Sequence, residues 1–269
     1  MPPPVPGADR SELLDRLAAL GPFFAVHVHD AGSPAAPPWR HCSELVDDPA
    51  VLRGRVDGAR AHLAAGAGRP VRDVERRVAA SVVHLGVTAR LLSPSLALAT
   101  LVGPTAPPLD LDCLWWQDVV GGAFPLSVGS DRLPPVRLGH PADPDRWAGA
   151  LVEGPLRALV GAAAAFSVSP RLLWGNVASA VSGTVAALVA AAPDHAGPAR
   201  HLARAVLRQP ALRDAGSGMP GGPAFRRRSC CLIYRVAPTP RPALCGDCVL
   251  RDRRPGGTAR SPADGGPRA

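Results

Sequence analysis

Four cysteines near the C-terminus constrain this chain of 269 residues more than any other feature. Cys230 and Cys231 are adjacent, and Cys245 and Cys248 follow after thirteen intervening residues. Thiolate sulfurs are soft ligands that suit iron–sulfur clusters or zinc, and suit calcium or magnesium poorly. Two intervening residues let the sulfurs of Cys245 and Cys248 face one centre. The spacing therefore predicts a small C-terminal module built around a soft metal.

The adjacent pair, Cys230 and Cys231, adds a geometric requirement. Neighbouring side chains of an extended chain point to opposite sides, so these two sulfurs can share a site only where the backbone bends. A dinuclear iron–sulfur centre eases the requirement, because each iron then needs only two protein thiolates. We favour that centre. A structural four-cysteine zinc site and disulfides or inert thiols remain open alternatives.

Cysteine usage and the N-terminal residues predict a reducing compartment. The six cysteines are spread over the whole chain, and residues 1–7 contain neither a basic start nor an apolar stretch. Disulfide frameworks are typical of small secreted chains, and export signals need both of those N-terminal features. The most apolar run, 177–192, is shorter than the roughly 20 residues of a spanning helix. We expect a cytoplasmic protein without a transmembrane segment, with peripheral attachment to the inner membrane face left open.

The charge of the chain is a weak guide to its partners. The formal net charge is +8 and the pI is about 10.3, but all the cations are arginine and none is lysine. That bias is typical of GC-rich coding. Aromatic residues make up 4% of the chain, which leaves little surface for stacking on single-stranded nucleic acid. We expect no nucleic-acid partner.

Hydrophobic periodicity predicts an α+β protein with a mainly helical body and a few antiparallel strands. It does not show the βαβ alternation of a dinucleotide-binding fold. The predicted helices span 11–20, 51–65, 71–92, 94–101, 144–166, 170–192 and 197–213, and the predicted strands span 23–29, 111–119 and 123–128.

Composition predicts three regions along the chain. Residues 1–223 form the body and end in a Gly- and Pro-rich linker at 216–223. Residues 224–252 form the iron–sulfur module, which is too small for a hydrophobic core, so a metal centre must supply its folding energy. Residues 253–269 are rich in Arg, Pro and Gly without periodicity and are expected to be a disordered tail.

Other chemically suggestive side chains are expected to have structural roles. Histidines on one face of a short strand are more often surface residues than ligands, and isolated cysteines are most simply small core residues. Tryptophans could line a ligand pocket, but core packing is the expected use. These residues are His27, His29, Cys42, Cys113, Trp115, Trp116 and Trp174.

Three segments together resemble a known family. They are 169–180 (SPRLLWGNVASA), 229–235 (SCCLIYR) and 245–248 (CGDC), and they look like the ferric-siderophore reductases of the FhuF type. The resemblance covers most of the chain weakly and about the last hundred residues well, with the cysteine pattern as its specific part. The gap between the second and third cysteines is a few residues longer here, and the extra length falls in the proline-rich segment 237–242.

The resemblance implies a cofactor and an activity. It implies that Cys230, Cys231, Cys245 and Cys248 hold a [2Fe–2S] cluster. It also implies an oxidoreductase that transfers one electron to siderophore-bound Fe(III), so that Fe(II) is released in the cytoplasm. The implied partners are a ferric siderophore, expected to be of the hydroxamate type, and an electron donor such as a ferredoxin or a flavin reductase.

Arginines surround the cysteines in the sequence and have two interpretations. Arg226, Arg227 and Arg228 precede the first cysteine, and Arg235 follows the second. Cations near a cluster favour its reduced form, so these residues could tune the potential and attract anionic or oxygen-rich iron complexes. The alternative is a solvated basic run that reflects the arginine-rich coding.

Two other functions remain open from the sequence. In one, zinc replaces the cluster and the module only stabilises a binding protein without enzymatic activity. In the other, the cluster serves an iron–sulfur sensor or assembly partner that turns over no substrate.

Overall fold

The computed structural model describes residues 10–30, 36–103, 108–130, 143–236 and 244–251. Within these ranges it is mainly helical with a few short strands, which confirms the α+β class. The helices are α1 (Arg10–Ala19), α2 (Glu44–Asp47), α3 (Pro49–Gly66), α4 (Arg76–Val102), α5 (Pro144–Leu151), α6 (Arg157–Ala164), α7 (Pro170–Ala191) and α8 (Ala196–Arg208). The strands are β1 (His27–His29), β2 (Arg40–His41), β3 (Leu114–Trp116), β4 (Leu126–Gly129), β5 (Gly216–Ser217) and β6 (Arg226–Arg227).

The core is built on α4 and α7, which pack against each other. α4 also contacts α3, α6 and α8, because it carries apolar residues around most of its circumference. By length and composition both helices could cross a membrane, but 72% and 67% of their apolar windows are buried within the protein. They are arranged as core helices of a soluble protein are.

α4 corrects a sequence prediction at Pro94. We predicted that one helix ends before this proline and another begins there, because proline lacks an N–H and crowds the preceding turn. The helix instead runs through Pro94. The hydroxyls of Ser93 and Ser95 donate to the carbonyls of Ala89 and Leu91 at 2.8 and 3.1 Å. Burial of the helix on both sides of the proline outweighs the lost hydrogen bond.

Four strands form a mixed sheet in the order β1-β4-β3-β2. β3 and β4 are antiparallel, as predicted, whereas β1 runs parallel to β4, which the sequence did not predict. β1 is also shorter than the predicted strand 23–29. The Arg90 guanidinium donates to the carbonyls of Phe23 and Ala25, so these groups bond to a side chain rather than to a strand.

The predicted helix 144–166 is divided by a π-helical segment, Val152–Leu156. Gly154 has non-helical dihedral angles (φ −89°, ψ −107°) and is followed by Pro155, which cannot donate a backbone hydrogen bond. A π-helical segment has more residues per turn than an α-helix, so it changes the direction of the chain. After it, α6 packs against α7 and α2.

Residues 216–223, which composition indicated as a linker, pack against α7. β5 pairs with β6, and the Gly221 N–H donates to Ser182 Oγ at 3.0 Å. A Cβ atom on Gly221 would lie 2.6 Å from a methyl carbon of Val185. The chain is thus held on the body just before the cysteines, while the division into a body and a module stays a prediction. The tail 253–269 and the segment 237–242 lie outside the described residues.

Candidate metal centre

The first cysteine pair begins three residues after the end of β6, just before the chain turns sharply. Leu232 has a positive φ of 69°, a left-handed conformation that is uncommon outside glycine. A 3-10 turn, Ile233–Arg235, follows at once. The backbone therefore bends immediately after Cys230 and Cys231, as the sharing of one site by adjacent cysteines requires.

The second pair closes on the first across the site. The Cys248 N–H donates to the Cys245 carbonyl at 3.1 Å, which forms a tight turn. The Sγ atoms of Cys231 and Cys245 lie 3.6 Å apart. Cys231 and Cys248 are 2% and 1% exposed, whereas Cys230 and Cys245 are half-buried. All six cysteines of the chain are free.

Cys231 is the electrostatic centre of the thiols. Its pKa lies far below the ordinary value, first because the Cys230 thiol donates a hydrogen bond to it, and then because Cys245 donates another. The same hydrogen bonds raise the pKa of Cys230 and of Cys245, since a donating thiol must keep its proton. The contact between the Sγ atoms of Cys231 and Cys245 thus links the two cysteine pairs. In the described part of the chain, no group of three or more His, Cys, Asp or Glu side chains is arranged to hold a single metal ion.

Arg227 is the cation of this site, and its side chain is fully buried. Its Nη2 donates to Cys245 Sγ at 2.6 Å and its Nη1 donates to Asn176 Oδ1 at 3.1 Å. A carboxylate oxygen of Asp247 lies 3.7 Å from Nη2. Burial lowers the pKa of Arg227, but the charges of Cys231, Asp247 and Cys245 and a hydrogen bond to Cys231 together raise it by more, so the net shift is upward. The guanidinium is a fixed positive charge against the thiols.

Two buried polar side chains connect this site to the core helices. Asn176 of α7 donates to the carbonyl oxygen of Ser81 of α4 at 3.0 Å. The Ser81 hydroxyl donates to the carbonyl oxygen of Cys231 at 2.8 Å. Because Asn176 also accepts from Arg227, one hydrogen-bonded chain joins α4, α7 and both cysteine pairs. The thiols are therefore positioned by the rigid centre of the body.

Gly175 permits the close approach of the cysteine segment to α7. A Cβ atom placed on Gly175 would lie 1.9 Å from Ser229 Oγ and 3.2 Å from its Cβ. Ser229 is the residue before Cys230, so the absence of a side chain at position 175 fixes where the first cysteine pair lies.

The other arginines near the cysteines bond elsewhere. Arg226 donates to nearby backbone carbonyls, and Arg228 and Arg235 form ion pairs with acidic side chains at 3.1 and 2.7 Å. Among the described contacts of these four arginines, Arg227 is the one that bonds a thiol. The tuning role that the sequence divided among them is therefore best placed on Arg227.

The residues around the thiols fit an iron–sulfur cluster. Three buried polar atoms have no hydrogen-bond partner among the described residues: Arg227 Nε, Ser229 Oγ and Asp247 Oδ2. Two of them are donors, and an unsatisfied buried donor costs about 1–3 kcal/mol. A bound group with sulfide acceptors would satisfy Arg227 Nε, whereas Ser229 Oγ lies against Gly175 of α7. Together with the contact of Cys231 with Cys245, which joins the two cysteine pairs, the Arg227 donor suits a [2Fe–2S] centre.

The weaker candidates have structural surroundings. Cys42 and Trp116 are buried in the core, and burial raises the pKa of the Cys42 thiol. His29 Nδ1 is hydrogen-bonded to Ser127 Oγ at 2.8 Å. Trp174 is half-buried, with the Arg157 guanidinium 5.6 Å from its ring centroid.

The sequence did not reveal the roles of Ser81 and Asn176 in holding the cysteines. Asn176 carried a signal, because it is the single asparagine of the chain and lies in an apolar run. A buried amide must find hydrogen-bond partners, but its partners come from distant segments. Ser81 resembled any other small residue of a core helix.

Comparison with known protein families identifies the cysteine segment. Residues 227–250 match the family model described as the FhuF 2Fe-2S C-terminal domain. The match covers Arg227 and all four clustered cysteines, and the cofactor of this domain is a [2Fe–2S] cluster. No curated protein matches the chain.

Proposed function

We propose that this protein is a cytoplasmic ferric-siderophore reductase. The observation that carries the proposal is the convergence of two cysteine pairs, with Cys231 and Cys245 3.6 Å apart at Sγ, inside a segment that matches an FhuF-type 2Fe-2S domain. Redox chemistry follows from that cofactor class. The siderophore substrate is the further step that the proposal adds.

One electron is enough to release siderophore iron. Fe(III) is a hard cation held by hard oxygen donors, and Fe(II) is a softer ion that the same oxygens hold less tightly. The change Fe(III) + e⁻ → Fe(II) breaks no covalent bond of the siderophore. A [2Fe–2S] cluster supplies single electrons when bound. A ferredoxin or flavin reductase replaces the electron after each turnover.

We assign Cys230, Cys231, Cys245 and Cys248 as the ligands. Cys231 and Cys248 are shielded from water on the body side, while Cys230 and Cys245 border the surface. This asymmetry gives the site a closed side and an open side. An electron would leave through the open side, towards a chelate in solvent.

Arg227 stabilises negative charge at the site. Its guanidinium donates to Cys245 and is held by Asn176, so it needs no rearrangement when charge at the site increases. The low local dielectric strengthens this interaction relative to one at the surface. Arg227 therefore favours the reduced state and raises the midpoint potential.

The proposal is tested with protein purified without oxygen. We expect a brown protein with iron and acid-labile sulfide in equal amounts and an EPR signal after dithionite reduction. Mixing the reduced protein with ferric desferrioxamine and a ferrous chelator should oxidise the cluster, which abolishes the EPR signal, and the chelator should trap Fe(II). The Cys231→Ser variant should lose the colour, and Cys113→Ser, which changes a thiol outside the site, should retain it.

Two outcomes would reject the proposal. Zinc in place of iron and sulfide would favour a structural zinc module. A reduced cluster that stays reduced in the presence of several ferric chelates would favour an iron–sulfur sensor.

A further inference from the structure

A cavity of about 430 Å³ opens between the start of α7 and the 3-10 turn Pro210–Leu212, and Arg228, two residues before Cys230, lines it. We name it the Arg–Trp pocket. Its volume is in the range of small-molecule sites. It is lined by Arg171, Trp174, Pro210, Ala211, Asp214, Ala215 and Arg228.

The Arg–Trp pocket is connected to the cysteine segment through Arg228. Arg228 lies two residues before Cys230, so their Cα atoms are at most about 7 Å apart. Trp174 is next to Gly175, whose missing side chain lets Ser229, the neighbour of Cys230, rest on α7. A molecule in this pocket would contact Arg228, two residues before the half-buried Cys230.

The charges of the pocket suit a ligand rich in oxygen. Arg171 is exposed and makes no ion pair with any residue that the structure describes. Arg228 pairs with Asp214, whose side chain is 86% exposed. Such exposed pairs contribute little to stability, so Arg228 can exchange Asp214 for a ligand oxygen. Trp174 adds a half-buried aromatic ring to the lining of the same pocket.

A larger cavity of about 630 Å³ is less well placed. Arg53, Arg76 and Arg77 line it, but Arg76 and Arg77 are bonded to acidic side chains at 2.7 Å. Among the described residues that line it, Glu75 contacts the cysteine segment, through its ion pair with Arg235. Arg53 nevertheless supplies a matched control, because it is exposed and also makes no ion pair with a described residue.

We propose that the Arg–Trp pocket is the docking site for an oxygen-coordinated ferric chelate. Arg171 and Arg228 donate to the oxygen atoms around the iron, and Trp174 contacts the apolar or aromatic arms of the ligand. The inference rests on the proposed reductase function, which supplies the reason for a chelate beside Cys230. The iron would then lie within a short distance of the thiols.

The test uses gallium(III) in place of iron(III), because gallium chelates have the same shape and accept no electron from the cluster. Binding of gallium desferrioxamine, a tris-hydroxamate, and of a gallium tris-catecholate to the loaded protein is measured by isothermal titration calorimetry. The two titrations distinguish the chelate classes. Arg171→Ala should weaken whichever chelate binds by about tenfold, the value of one hydrogen bond to a charged group.

The control variant Arg53→Ala shows whether the chelate binds in the Arg–Trp pocket or elsewhere. Arg53→Ala should leave the dissociation constant unchanged. The proposal is overturned if neither chelate binds the wild-type protein, or if Arg171→Ala and Arg53→Ala change binding equally. A failure of the proposed reductase function would give a different result. Gallium chelates would still bind in a manner that depends on Arg171, but ferric chelates would not oxidise the cluster. Oxidation by ferricyanide, which needs no pocket, should be the same in both variants.

Discussion

Replacement of Arg227 by methionine should lower the midpoint potential of the cluster. The substitution keeps much of the side-chain volume but removes the positive charge and the hydrogen bond to Cys245. Reduction adds one negative charge, so the loss of a buried cation destabilises the reduced state more than the oxidised state. Arg227→Lys, which retains the charge, should shift the potential less.

The size of the change follows from the geometry of the site. Nη2 lies 2.6 Å from Cys245 Sγ, so with a metal–sulfur bond of about 2.3 Å an electron on a metal held by that sulfur would be about 6 Å from the guanidinium centre. At an effective dielectric constant of about 20, Coulomb's law gives about 3 kcal/mol. For one electron this is about 120 mV. The negative charge of Asp247 offsets part of it, so we expect a fall of about 50–120 mV.

The assay is a redox titration followed by EPR on protein with equal iron content. Arg228→Met is the control, since this arginine is also close to Cys230 in sequence but its side chain is half-exposed and paired with Asp214. Its potential should move by less than about 20 mV, because solvent screens the charge. Equal shifts in the two methionine variants, or an unchanged potential in Arg227→Met, would refute the reasoning. The shift should be independent of pH from 6 to 9, because arginine stays protonated there.

Two further predictions concern the body. Gly175→Ala should lower iron content and melting temperature, because the new methyl group displaces Ser229; overpacking of this kind costs about 1–3 kcal/mol. Gly183→Ala on the same helix meets no neighbouring atom and should stabilise by about 0.5–1 kcal/mol. Adding Ser229→Gly to Gly175→Ala should restore iron binding, and a double variant that stays empty would contradict this explanation. Burial lowers the pKa of His84 from 6.5 to about 3, and both ring nitrogens are without partners among the described residues. The unfolded chain therefore binds a proton that the folded chain does not, and stability falls as the pH drops below 6.5. Denaturant titrations should show a loss of about 2 kcal/mol between pH 7.5 and pH 5, and His84→Leu should remove that part of the slope; an equal slope in both proteins would assign it to other groups.

The sequence predicted the parts of this protein that depend on local patterns. α1, α3 and α7 follow from apolar periodicity and their terminal Pro or Gly residues, and the cysteine spacing predicted a shared site. The continuation of α4 through Pro94 was missed, because the energy that favours it comes from burial against other elements. The shortened β1 was missed for a similar reason. The carbonyls of Phe23 and Ala25, just before β1, accept hydrogen bonds from Arg90, which is distant in sequence.

The sequence predicted which residue types form the site, but not which of them contact one another. The four cysteines and the arginine cluster were visible, yet the selection of Arg227 over its neighbours depends on which strand residue faces the core. That choice is made by the pairing of β5 with β6 and by the position of Asn176 on α7. Neither contact leaves a local pattern in the sequence.

The hydrogen-bonded chain through Ser81 and Asn176 limits how this cofactor site can be transplanted. A recombinant fusion that carries only the cysteine segment would leave the Cys231 carbonyl without its donor, Ser81, and the Arg227 guanidinium without its acceptor, Asn176. A new host would have to present a serine on one helix and a glycine–asparagine pair on another at the same spacing. Exchange of this segment between scaffolds should therefore succeed only when those three helix positions move with it.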